Sequence, residues 1–392
     1  MKPLRILTFS TLYPNEAQPN HGVFVENRLR HLVGTGQVES VVVAPVPYFP
    51  AGMPGFDRWS VYSRIPRKET RHGLTVYHPR YPVVPKVGAN VAPWLLAAGS
   101  VRLLDDLRRG GYDFDLIDAH YMYPDGVAAA WMGHRLGKPV VVTVRGTDVN
   151  LIPRHRFRRH LIRRALRQLS GVIAVSEALK EAVVAIGCNS GEVTVLRNGV
   201  DLNLFAPINR EAARQRLSLN GPTLLSVGHL IERKGHDLVI RALSELAGYE
   251  LLVVGEGPER DALMGLAGRL GLGSRVRFLG AQPHALLPSF YGAADALVLA
   301  SSREGWANVL LEGMACGTPV VASNIWGNPE VVRSPDAGRL MAERTPAALA
   351  STVRSLFASL PDRAATRRYA EAFSWDDTSA GQVALFRRIL GG

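Results

Sequence analysis

Residues 302–323 read SREGWANVLLEGMACGTPVVAS. Glu304 and Glu312 stand with seven residues between them, and an apolar run follows at once. Upstream, ADALVLAS (294–301) is an apolar run of strand length, and TPVVAS (318–323) is another. Between them, WANVLLEGMACG has the spacing of a helix, which Gly317 terminates. Glu304 then falls on the loop at the carboxyl end of the first strand. Glu312 falls two turns into the helix, among apolar neighbours. A carboxylate there is costly without a partner. A ribose diol is such a partner, because its two hydroxyls donate to one carboxylate. Ala307, Asn308 and Val309 offer backbone N–H groups to a phosphate. The plainer reading is a helix-start charge followed by a solvated acid.

The same alternation runs outward along the chain. RILTFST, ESVVVAPV, DLIDAHY, KPVVVTVRG, SGVIAVS and VTVLRNG are short β-rich runs separated by helical patterns such as FVENRLRHLVG and WLLAAGSVRLLDDLRR. Continuous Val/Ile/Leu runs, rather than alternation, indicate strands buried on both faces of a parallel sheet. Residues 199–222 carry no strand pattern, and a second series follows through TLLSVGHL, YELLVVGEGP, RVRFLG, ADALVLAS and TPVVASN. The reading is α/β, with two Rossmann-like doubly wound domains. It gives an amino-terminal domain at 1–203, a linker at 204–221, a second domain at 222–374 and a closing helix at 375–392. Ligands of open α/β sheets sit beyond the carboxyl ends of strands, so the cleft between two such domains is the expected site. The loop-rich segment 48–73 is expected near its acceptor side.

In SVGHLIERKGHDLVI (226–240), Arg233 and Lys234 precede Gly235 and a helix. Two cations at a helix amino end suit a diphosphate; an isolated Arg-Lys-Gly is more often a surface pair. VVGEGPER (253–260) lacks the third glycine of a dinucleotide fingerprint, so Gly255 and Gly257 are read as a tight strand-to-helix turn.

The chain has 392 residues, 47% hydrophobic and 20% charged, enough for two cores and against global disorder. Its formal net charge of +12 admits nucleic acid, an anionic membrane surface or an anionic small substrate as partner. Cys188 and Cys316 sit in apolar settings without metal spacing, which fits a reducing cytosol. The start, MKPLRILTFSTLYPNE, does not read as a signal peptide, and no apolar run reaches spanning length. RHRFRRHLIRRALRQL (154–169) sets Phe157, Leu161, Ala165 and Leu169 at helical spacing, with Ile162 and Leu166 beside them, on an otherwise cationic helix. It reads either as a solvated basic face or as a contact for anionic lipid headgroups. Nucleic-acid binding is not expected, because no aromatic platform or motif accompanies the charge.

These segments together resemble glycosyltransferase family 4, retaining enzymes of the GT-B fold. The E-x7-E spacing of Glu304 and Glu312, TFSTLYPNEAQPNHGVFVENRLRHL, VIAVSEALKEAV, VTVLRNGVDLNLF, VRFLGAQPHALLPSFYGAAD and EGMACGTPVVASNIWGNPEVV carry the resemblance over nearly the whole chain. The first half is most similar to enzymes of teichuronic acid and other exopolysaccharide assembly. The resemblance implies that Glu304 contacts the donor sugar, and that Glu312 holds the ribose hydroxyls with Asn308 and Val309 near phosphate. It implies that Arg233 and Lys234 neutralise the departing diphosphate beside Gly228 and His229. His120, ending DLIDAH, would reach the donor sugar; Arg145, in VRGTDVN, would line the cleft; and Gly22 would let backbone approach phosphate or acceptor. This chain has His229 where many members have Arg, and Arg145 where many have His. The nucleotide base would meet backbone near 279–284, and the closing helix would cross back to the first domain.

No D-x-D-type pair stands at a strand end, so a metal-independent reaction without cofactor is expected. The expected activity is hexosyl transfer from a nucleotide-diphosphate sugar to a saccharide or lipid-linked acceptor, in the cytoplasm or peripherally on its membrane. The alternatives are a GT-B-fold nucleotide-sugar 2-epimerase and, without catalysis, a basic peripheral membrane or nucleic-acid-binding module.

Overall fold

The computed structural model describes residues 2–48, 61–83 and 88–391. The chain divides into two units, Met1–Arg197 with Asp376–Gly392, and Asn198–Trp375.

Unit 1 holds the strands β1 (Leu4–Phe9), β2 (Val38–Val43), β3 (Val46–Tyr48), β4 (Lys68–Arg71), β5 (Leu74–Tyr77), β6 (Arg80–Pro82), β7 (Leu116–His120), β8 (Val140–Val144), β9 (Gly171–Ala174) and β10 (Val193–Val195), and its continuous aliphatic runs fall in the parallel ones. Eight of them form one sheet in the order β10-β9-β8-β7-β1-β2-β5-β4. Every residue of β7 and β8 is buried, as both-face burial requires. Pairing is parallel throughout except for the hairpin β4–β5, and β3 pairs with β6 in a separate ribbon. Strand order reverses between β1 and β7, so a crevice opens beyond Phe9 and His120.

The loop expected over 48–73 differs in part. Residues 49–60 lie outside the described residues, but Val61–Arg64 is a 3₁₀ turn and β4 pairs with β5. The polar composition KETRHG concealed this strand, since an edge hairpin needs only one apolar face. The core of unit 1 packs Ile6, Val25, Leu29, Val42, Leu116, Val141 and Ile173 against Val383, Leu385 and Phe386 of the helix Trp375–Ile389. Each large aliphatic buried there contributes roughly 1.5–3 kcal/mol relative to exposure.

Unit 2 is wholly parallel: β11 (Thr223–Val227), β12 (Glu250–Val254), β13 (Val276–Phe278), β14 (Ala296–Leu299), β15 (Val320–Ser323) and β16 (Gly338–Met341), in the order β13-β12-β11-β14-β15-β16. Its order reverses between β11 and β14. The expected linker 204–221 is not a spacer. Asn209 caps the helix Arg210–Arg216 by accepting from the Ala212 N–H, and Arg210 and Arg214 both pair with Asp295 of unit 2. Pro207 and Gly221-Pro222 suggested a break, yet the apolar side of this amphipathic helix is packed, with Ala213 1% exposed. The unit boundary falls at Arg197, earlier than residue 203. Among the described residues no helix is long and apolar enough to cross a membrane.

Candidate functional site

The reversal in unit 2 collects most of the singled-out residues. β11 ends at Val227, and Gly228, at φ 150°, turns the chain into the 3₁₀ turn Glu232–Lys234. Gly235 follows at φ 70° and opens the helix His236–Leu243; a Cβ on it would lie 2.2 Å from the Ala300 carbonyl oxygen, just beyond β14. Only glycine lets the turn sit so close to the neighbouring strand end. The Ser302 N–H donates to the Arg233 carbonyl at 2.8 Å, which fastens the two loops together. Gly255 plays the same part from β12, since a Cβ there would meet the Gly228 carbonyl oxygen at 1.9 Å. This is the tight turn read from VVGEGPER.

Glu304, 7% exposed, is held in this crevice. Lys234 Nζ donates to its Oε1 at 2.6 Å, Ser301 Oγ donates to the same oxygen at 2.7 Å, and Arg233 Nη1 is 3.7 Å from its Oε2. Burial alone would raise the carboxyl, but Lys234, Arg233 and the Ser301 hydroxyl outweigh it and hold the carboxyl below its ordinary value. Glu304 is therefore ionised at neutral pH. Arg233 also donates to the Arg303 carbonyl at 3.0 Å. Two cations face one carboxylate, leaving a net positive charge where strand ends and a helix start converge. His229, the neighbour of Gly228, is exposed.

Glu312 lies one turn, not two, into its helix, because the helix spans Asn308–Ala315. The Gly305–Ala307 stretch stays outside the helix. Gly317, at φ 77°, ends the helix as expected, with its N–H on the Met314 carbonyl. Glu312 has protein partners: Tyr291 Oη donates to Oε2 at 2.8 Å, and His284 Nε2 is 3.5 Å from Oε1. The hydrogen bond to Glu312 raises His284, burial notwithstanding. His284 closes the 279–284 segment expected at the base and packs edge-on to Phe205 at 5.1 Å. Asn308 Oδ1 accepts from Asn198 Nδ2 at 3.2 Å, and Val309 is half-buried beside it.

In unit 1, His120 and Arg145 are brought together, but His120 is only 1% exposed. Its Nδ1 accepts from Arg145 Nη2 at 2.8 Å, which places the ring proton on Nε2, 3.5 Å from Asp118 Oδ2. Burial lowers His120, Asp118 notwithstanding, so the ring is neutral at pH 7. Behind it runs a buried chain: Gln382 Nε2 donates to Asp118 Oδ2 at 2.9 Å, and Arg28 Nε donates to Gln382 Oε1 at 2.8 Å. Burial lowers Arg145 to about 9, and proximity to Arg28 adds to that. Asp148 caps the turn after β8, accepting from the N–H groups of Met122, Arg145 and Gly146. Gly22, at φ 75°, makes its close approach to protein backbone, since a Cβ would fall 2.3 Å from the Leu12 carbonyl.

Sequence reading missed Ser301, Tyr291, His284, Asp118, Gln382 and Arg28. DLIDAH did place Asp118 two residues before His120 on one strand face, a period-2 signal that was available. Gln382 carried none, because its partners lie 264 and 354 residues away. Among the described residues no group of three or more His, Cys, Asp or Glu is arranged to hold a metal.

The chain is similar to known proteins in both of its halves. The family described as Glycosyltransferase Family 4 matches residues 25–204, and that described as Glycosyl transferases group 1 matches residues 207–373. D-inositol 3-phosphate glycosyltransferase of Mycobacterium tuberculosis is 32% identical over 235 residues, covering 56% of this chain. The chain spans about half, 48%, of the length of the curated relatives it matches. Sucrose-phosphate synthase from Thermosynechococcus elongatus superposes with a TM-score of 0.78 at 22% identity, over 99% of each chain. HepE from Anabaena, in complex with UDP and glucose, gives 0.74 at 22% identity, over 97% of this chain and 98% of that one. With both halves matched in turn and the fold shared, the chain belongs to glycosyltransferase family 4, with the GT-B architecture.

Proposed function

We propose that the protein is a retaining glycosyltransferase that moves a hexosyl group from a nucleotide-diphosphate sugar to a saccharide or lipid-linked saccharide acceptor in cell-surface polysaccharide assembly. The observation that carries it is the pairing of Arg233 and Lys234 with ionised Glu304 at the sheet reversal of unit 2. Glycosyl transfer builds negative charge on the departing diphosphate and positive charge at the anomeric carbon. Two fixed cations stabilise the first, and a buried carboxylate beside them stabilises the second. The cations supply the charge that a bound metal would otherwise supply, which supports a metal-independent reaction. Glu312, next to His284, retains lone pairs for a ribose hydroxyl, and the 279–284 backbone is left for the base. His120 and Arg145 are assigned to the donor sugar. The neutral ring of His120, with its Nε2 turned to Asp118, is assigned the part of orienting Arg145.

HepE is known in complex with UDP-glucose, which places UDP-hexoses first among donors to try. The test is a thermal-shift panel of UDP-, GDP- and ADP-hexoses, followed by product analysis with the donor that stabilises. Free nucleoside diphosphate with a lengthened acceptor, or slow donor hydrolysis without one, supports transfer. An isomerised donor without diphosphate release supports the 2-epimerase. Glu304→Gln should keep donor binding and lose most turnover; a nearly fully active Glu304→Gln enzyme would sink the role given to Glu304.

A further inference from the structure

We propose that unit 1 docks on an anionic bilayer surface through the helix Arg156–Leu166 and the neighbouring start of the helix Gly88–Arg109. Residues 149–176 contain no Asp or Glu, while seven arginines fall between 154 and 167. The helix already buries Leu161, Ile162, Ala165 and Leu166, so its packing demand is met and its outer face is left cationic. Arg156, Arg159, Arg163 and Arg167 line one open crevice with His160. No ion pair is formed by these arginines among the described residues. Arg159 to Arg163 and Arg163 to Arg167 are like charges four apart, which oppose the helix that carries them. An anionic partner removes that opposition.

The aromatic residues fix which partner. Phe157, expected in the buried stripe, is 49% exposed, because the stripe turns inward only from Leu161. Trp94, on the neighbouring helix, is 43% exposed, and its ring lies 6.4 Å from that of Phe157. Arg158 Nε donates to Asn90 Oδ1 at 3.0 Å, which holds the two helix starts together. A Trp–Phe pair standing out of a field of arginines is the composition of a membrane interface: rings at the headgroup level, guanidinium groups on lipid phosphate. The rings touch each other, whereas a nucleic-acid platform sets aromatics apart for successive bases. This surface is independent of the donor site, and its occupancy is measured without any nucleotide.

The test is sedimentation of the full chain with vesicles of phosphatidylcholine alone and of phosphatidylcholine mixed with phosphatidylglycerol. The protein should pellet with the second and stay in solution with the first. The triple variant Arg156→Gln, Arg159→Gln, Arg163→Gln should lose about a hundredfold in vesicle affinity, roughly fivefold for each charge removed near an anionic surface. Trp94→Ala with Phe157→Ala should weaken vesicle binding while leaving retention on heparin unchanged. Melting temperature checks that each variant is folded; should the triple variant melt early, the exposed single change Arg163→Gln replaces it with a roughly fivefold expected loss. Equal pelleting with both vesicles, an unchanged arginine variant, or a Trp94→Ala with Phe157→Ala variant that pellets with phosphatidylglycerol vesicles as the parent does would overturn the proposal.

Discussion

Removing the charge of Glu304 should tighten the grip on a free nucleoside diphosphate. Its carboxylate lies 2.6 Å from Lys234 Nζ and 3.7 Å from Arg233 Nη1, so in the unliganded protein it neutralises one of the two cations proposed to seat the diphosphate. The change Glu304→Gln keeps the shape and the Ser301 hydrogen bond, but raises the site by one positive charge. For an anion of two charges about 5 Å away, in a water-like dielectric, that is about 1–2 kcal/mol, or roughly fivefold to thirtyfold in affinity. Lys234→Met should do the opposite, weakening binding about tenfold or more by removing one of the two cations. Titration calorimetry with UDP, GDP and ADP on the three proteins reads both effects. The gap should narrow as salt rises. Unchanged binding by both Glu304→Gln and Lys234→Met would refute the diphosphate seat, because neither charge would then be felt by the ligand.

Three further outcomes follow from buried contacts. Burial pushes Asp125 up to about 7, while its Oδ2 accepts from the Thr11 N–H and hydroxyl. The folded chain thus holds a proton that the unfolded chain releases near pH 4, so stability falls as pH climbs from about 4 to about 7 and levels off above. Asp125→Asn keeps an accepting oxygen and should flatten that fall, melting higher than the parent at pH 8; identical melting at pH 5 and pH 8 in the parent would contradict this. Gln382→Leu removes an acceptor from Arg28 Nε and a donor from Asp118 Oδ2, both buried, and should cost about 2–4 kcal/mol in urea unfolding followed on unit 1. Gly235→Ala forces a Cβ at φ 70° to within 2.2 Å of the Ala300 carbonyl oxygen. It should cost about 2–4 kcal/mol and weaken diphosphate binding, whereas an alanine variant as stable and as tight as the parent would show that the two loops need not meet.

The two parallel sheets were legible because buried parallel strands write themselves as unbroken aliphatic runs, as in VVVTV (140–144) and ALVL (296–299). The Arg233, Lys234 and Glu304 cluster was legible in part. Each residue sat at a strand end, but the ion pair among them depends on two strands being neighbours across the sheet reversal, which periodicity does not encode. Strand β4 was hidden by polar composition, and the helix Arg210–Arg216 was mistaken for a spacer because proline and glycine flank it. The burial of His120 was not legible at all. It is set by Arg145 from the next strand end and by Gln382 from the far end of the chain, contacts with no local signature.

The last helix gives unit 1 an order of assembly. A ribosome finishes β10 at Val195 and then makes all of Asn198–Trp375 before Gln382 can reach Arg28 and Asp118. Through that interval unit 1 carries a guanidinium and a carboxylate in its interior without the amide that joins them, and lacks Val383, Leu385 and Phe386 from its apolar layer. Unit 2, continuous in sequence, has no such wait. The nascent chain should therefore complete unit 2 first, and a nascent chain stopped before residue 376 should expose unit 1 to proteases while unit 2 resists them.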